Sequence, residues 1–210
     1  MSGPTRIPQS EDRLSTSPSS APLLRTLASV PLASRVLDLG CGEGRHTLPL
    51  AHLGFDLHAC DAAEGVVAEA RARLTDVLGP SEAKRRVIHA RPDALGYPDA
   101  FFDWIVAYRM DAAAATRETL LDVLHEARRV LKPGGWLYLT VPALPDKLDL
   151  EAATGYAGDA AMELHFTKGT LAEIMDEARF AEAEAPQRAH DDGGPLWHAI
   201  YRRVEAHTAV

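Results

Sequence analysis

One stretch constrains this chain more than any other: Val36-Leu37-Asp38-Leu39-Gly40-Cys41-Gly42-Glu43-Gly44-Arg45-His46. An apolar run ends in three glycines at alternate positions, and a helical pattern follows. Leu37 and Leu39 suit a buried parallel strand; Gly40, Gly42 and Gly44 suit the turn that leaves it. Glycine serves such a turn because it takes positive φ without strain and lets a ligand approach bare backbone. In an open α/β sheet, ligands bind in the crevice at the carboxyl ends of the strands. The stretch therefore predicts an α/β domain with its ligand site at this turn.

The spacing narrows the ligand class. The dinucleotide fingerprint G-x-G-x-x-G wants its third glycine where Arg45 stands. No G-x-x-x-x-G-K-[ST] occurs, which excludes a P-loop. With Asp38 inside the strand, the stretch resembles motif I of the class I S-adenosylmethionine (SAM)-dependent methyltransferases, whose standard form is V-L-D-L-G-C-G-x-G. That resemblance implies that Asp38, Gly40, Cys41, Gly42 and Gly44 surround SAM, and its product S-adenosylhomocysteine (SAH) after transfer.

Later segments fit the same pattern. A second strand, Phe55 to Cys60, ends in Asp61. An acid about 20 residues beyond a glycine turn is the usual ribose partner, since a carboxylate accepts from both hydroxyls of a diol. Asp61 can also serve as the N-cap of a helix starting near Ala62, and the two roles can coexist. In the family, this strand end and helix start line the cofactor, which carries the assignment to Asp61 and Ala62. After a third strand, Arg86 to Ala90, the loop residue Asp93 stands where the family has an adenine acceptor. The Ala94 amide is expected to donate to the ring. Strand four, within 98–107, resembles the family's corresponding segment, and Tyr108 and Arg109 leave it beside the expected sulfonium and acceptor. The string ARRVLKPGGWLYLTVP is a further family resemblance, with a helix over 116–131 and strand five over 136–141.

Residues 142–166 are irregular, and in this family such a segment covers the substrate. A helix begins near Thr167 or Thr170, with Thr170 and Glu173 as a capping box. Strands six, Ala181 to Gln187, and seven, Leu196 to Arg203, flank a loop over 191–195. The implied fold is α/β: a Rossmann-like seven-stranded sheet of order 3-2-1-4-5-7-6, strand seven antiparallel, with helices on both faces. The domain spans residues 20–210. It follows a Ser/Pro-rich stretch, 1–19, that lacks apolar periodicity and reads as a flexible tail. The Arg45-His46 pair after the glycines, His165-Phe166-Thr167, and a histidine in strand seven are together similar to the tellurite-resistance and thiopurine methyltransferases.

Composition sets the remaining bounds. A net charge of -8 and no extended Lys/Arg cluster argue against nucleic acid as a partner. No apolar run reaches the length of a membrane span. The two cysteines suit free thiols in a cytoplasmic protein. No compact ligand motif links His165, His190 and His198, so no metal is expected. The resemblance implies in-line methyl transfer to a small-molecule nucleophile. Arg109 and His165 face the acceptor, His165 being the base if one is required. A protein acceptor, or a non-catalytic SAM-binding module, are the competing readings.

Overall fold

A computed structural model of the chain describes residues 21–110, 116–143, 166–191 and 194–205. Seven strands form one sheet in the order β3-β2-β1-β4-β5-β7-β6. They are β1 Arg35–Leu39, β2 Asp56–Asp61, β3 Val87–His89, β4 Phe102–Ala107, β5 Leu131–Pro142, β6 Phe180–Asp191 and β7 Gly194–Arg203. The helices are α1 Ala21–Leu27, α2 Thr47–Leu53, α3 Glu64–Leu78, α4 Pro80–Arg86, α5 Arg117–Val130 and α6 Lys168–Glu177. β1 pairs in parallel with both β2 and β4, whereas β7 runs antiparallel between β5 and β6. The strand order and the antiparallel β7 are those expected. Among the described residues no helix is long and apolar enough to cross a membrane.

Side chains alternate across a strand, so each strand feeds two cores. Leu37 and Leu39 join Ile105, Leu137 and Leu139 against α5 and α6 on one face. Val36 joins Trp104, Val106 and Tyr138 against α1, α2 and α3 on the other. Both faces of the central strands are covered, which is why β1 and β4 read as continuous apolar runs. Asp38 shares the parity of Val36, so its carboxyl is driven into the α2 side of the core and is 1% exposed.

The differences from expectation are local. α3 begins at Glu64 rather than near Ala62. Gly79-Pro80 ends α3 and also starts α4, because proline fits the first turn of a helix, where its missing N–H costs nothing. α6 is capped by Thr167 with Thr170, not by Thr170 with Glu173. β5 starts at Leu131, and β6 continues to Asp191 across from Gly194, so the expected 191–195 loop is shorter. The expected tail, His165 and most of the 142–166 cover lie outside the described residues.

Candidate active site

The glycine turn is fastened to its neighbour strand. Gly40 and Cys41 both donate their amides to the Cys60 carbonyl, at 2.9 and 3.0 Å. Gly40 and Gly42 have φ of +74° and +54°, and a Cβ on either would meet nothing within 4 Å. The turn therefore exposes bare backbone to open space. Asp61, at the end of β2, closes over it. One carboxylate oxygen accepts from the Gly42 amide at 3.0 Å and the other from the Ala63 amide at 2.9 Å. The second contact is an Asx-type turn leading into α3, whose N-cap, Ala63, has no side-chain bond of its own.

Two cavities share Gly40. The first, of about 130 Å³, is lined by Gly40, Asp61, Ala62, Ala90, Pro92 and Arg109 among others. The second, of about 450 Å³, is lined by Gly42, Arg45, His46, Arg73 and Tyr108 as well as Gly40 and Cys41. The first alone is too small for a nucleoside-sized ligand; together the two fall within the roughly 300–1,000 Å³ of ordinary ligand sites. The pair fits an elongated ligand with one end beside Asp61 and the other beside the glycine turn.

Arg109 lines the first cavity and its chain neighbour Tyr108 the second. Arg109 is one of three non-glycine residues with positive φ among those described, at 53°. Such a conformation persists only where its surroundings hold it. Its amide donates to Thr140 Oγ1 at 2.7 Å, and its Nη1 donates to Asp191 Oδ1 at 2.8 Å. The Tyr108 hydroxyl donates to the other oxygen of Asp191 at 3.1 Å. The Tyr108 ring lies 4.3 Å from that of His46. His46 is buried, and burial, helped by Arg45, lowers its pKa to about 4, so it is neutral at pH 7.

Other expected site residues serve the frame. Asp38 lines neither cavity; it accepts from Thr47 Oγ1 at 2.6 Å and so ties β1 to the start of α2. Burial raises its pKa to about 6 against the opposing hydrogen bond from Thr47. Gly44 is buried against Ala70, its own amide bonded to the Cys41 carbonyl. Asp93 pairs with Arg91 at 2.5 Å. The Ala94 amide donates to the Arg91 carbonyl at 3.1 Å, so it is spent within its own turn rather than aimed at a ring. Cys41 and Cys60 are buried free thiols with raised pKa, Cys60 to about 12, and are not poised as nucleophiles. His198 packs against Tyr138 and His190 is exposed; neither is among the residues lining the two cavities. No group of three metal-ligating side chains occurs among the described residues.

Two residues of this site lacked an assigned role in the sequence. His46 was visible only as part of the glycine motif. Asp191 lies at the start of a segment whose sequence marks a loop, yet its side chain is 2% exposed. The pairing of Asp191 with Asp192 before Gly193-Gly194 marks a turn, but nothing local signals partners more than 80 residues away.

Known proteins resemble this chain in sequence and in fold. Residues 36–135 match the Methyltransferase domain family. With the strand order above, this match supports the resemblance to the class I SAM-dependent methyltransferases. It is 30% identical over 122 residues to a demethylmenaquinone methyltransferase of Beutenbergia cavernae, covering 58% of this chain and 46% of that one. It is 34% identical over 101 residues to a ubiquinone biosynthesis O-methyltransferase of Roseobacter denitrificans, covering 48% and 38%. The chain thus spans less than half the length of these curated relatives. A solved structure of similar fold is the 1,6-didemethyltoxoflavin-N1-methyltransferase of Burkholderia thailandensis, with bound 1,6-didemethyltoxoflavin and SAH. Its TM-score is 0.68 at 22% identity, covering 93% of this chain and 80% of that one.

Proposed function

We propose that this chain binds SAM and transfers its methyl group to a small-molecule nucleophile by in-line displacement. The observation that carries the reading is Asp61 folded over an open glycine turn, with a cavity on each side of Gly40. Asp61 and Ala62 would hold the ribose end, with Ala90 and Pro92 against the base. The turn residues Gly40, Cys41 and Gly42 would meet the amino-acid end. The relatives named for quinone and toxoflavin methylation support a small acceptor, and the net charge of -8 supports an acceptor other than nucleic acid.

SAM supplies an activated methyl on a good leaving group, so the protein's work is orientation. Holding two reactants in line is worth roughly 7–11 kcal/mol at best. A base is needed only when the nucleophile carries a proton at neutral pH. We assign Arg109, which lines the cavity beside Asp61, to the place where cofactor and acceptor meet, and His165, which lies outside the described residues, to the base. The test is calorimetry with SAM, followed by a methyl-transfer screen against small molecules using label-carrying SAM. Binding with transfer to a small acceptor supports the reading. Binding with transfer only to protein favours a protein methyltransferase, and binding without any transfer favours a regulatory module.

A further inference from the structure

The carboxylate of Asp191 reaches both cavities through their own lining residues. Its Oδ1 accepts from Arg109, which lines the cavity beside Asp61. Its Oδ2 accepts from Tyr108, which lines the cavity beside the glycine turn. The residue comes from the far end of β6, an edge strand, and its side chain is 2% exposed. Burial of this carboxylate reduces the screening that makes surface ion pairs weak, although Arg109 is 29% exposed. The negative charge therefore acts on whatever lies between the two cavities.

We propose that Asp191 is a positioning and charge-setting residue for the cofactor: it holds Tyr108 and Arg109 over the crevice and offsets the Arg109 cation, so that the crevice accepts a positively charged sulfonium. This rests on the assignment of the two cavities to SAM. SAM and SAH differ by one methyl group and one positive charge. A crevice with Arg109 and without a carboxylate beside it disfavours the cation and leaves the neutral thioether unaffected by charge. Asp191 thus governs the preference between substrate and product forms of the cofactor, a property that mere support of the fold would not change.

The experiment is isothermal titration calorimetry of the full chain with SAM and with SAH. Asp191→Asn keeps the shape and removes the charge. Its SAM affinity falls relative to its SAH affinity by on the order of tenfold, as expected for losing one charge at close range in a partly dry site. Arg109→Gln removes the opposite charge and shifts the ratio towards SAM. The double variant returns the ratio to within about threefold of wild type. Should Asp191→Asn fail to fold, Arg109→Gln alone carries the test. An unchanged SAM-to-SAH ratio in the folded single variants overturns the inference while leaving the functional reading intact. Wild type that binds neither ligand overturns both.

Discussion

The Asp61 carboxylate accepts the Gly42 amide at 3.0 Å from 19 residues away, and so the acid that ends β2 shapes the turn that ends β1. The two features the family uses for one ligand are already joined in the protein itself. Asp61→Ala removes this bond and the one to Ala63 together. We predict a loss of SAH affinity of about 1–3 kcal/mol, from a ribose hydroxyl left without its acceptor. Asp61→Asn, which keeps an acceptor oxygen, loses less. Calorimetry on the three proteins decides it, and equal affinities would remove Asp61 from the ribose.

Gly40 and Gly135 should fail in different ways when changed to alanine. At Gly40 a Cβ meets nothing within 4 Å, but φ is +74°. The cost to stability is the left-handed backbone alone, about 1–2 kcal/mol, while the methyl projects into the ligand crevice. At Gly135 the Cβ would stand 2.8 Å from the Lys132 carbonyl and 3.2 Å from that of Asp103. Gly135→Ala therefore lowers the melting temperature. Thermal melts with and without SAH separate the two: ligand-induced stabilisation is lost in Gly40→Ala and retained in Gly135→Ala.

Acid stability is set by groups of opposite sign. His58 is buried among Tyr97, Phe101 and Phe102, and burial lowers its pKa from 6.5 to about 4. Its folded-state pKa lies below the unfolded value, so the stability it confers is complete above pH 6.5. That stability is lost as pH falls towards 4, by up to about 3 kcal/mol. His46 acts in the same direction over the same window. Asp38 opposes them: its pKa is raised from 3.8 to about 6, so its effect is favourable in acid and is lost as pH rises through 6. Denaturant melts from pH 4 to 8 should show a shallower acid loss in His58→Phe and a steeper one in Asp38→Asn. Parallel curves for wild type and His58→Phe would show that this imidazole titrates as freely as in the unfolded chain.

What was legible in the sequence follows from the range of the forces involved. β1, Arg35–Leu39, is where the apolar run placed it, because a strand buried on both faces must be continuously apolar. The sheet order came from the family motifs and stands. α4 was hidden because Gly79-Pro80 both stops one helix and starts the next. The length of β6 was hidden because its Glu-Ala alternation is exposed at the sheet edge and carries no apolar signal. Of the site, Gly40, Gly42 and Asp61 declared themselves by spacing. Asp38 was legible as part of the motif but not as a helix anchor, which depends on strand parity and on Thr47. The pairing of Asp191 with Tyr108 and Arg109 depends on the β6–β7 hairpin, which pairs with β5 and brings its tip to the residues leaving β4, and no local pattern encodes that.

The most direct test of the account is titration of the full chain with SAM, SAH and NAD in parallel. SAM and SAH are expected to bind saturably at one site, more weakly in Asp61→Ala, and NAD is expected not to bind. Binding of NAD without SAM or SAH, or SAM binding that Asp61→Ala leaves untouched, would contradict it.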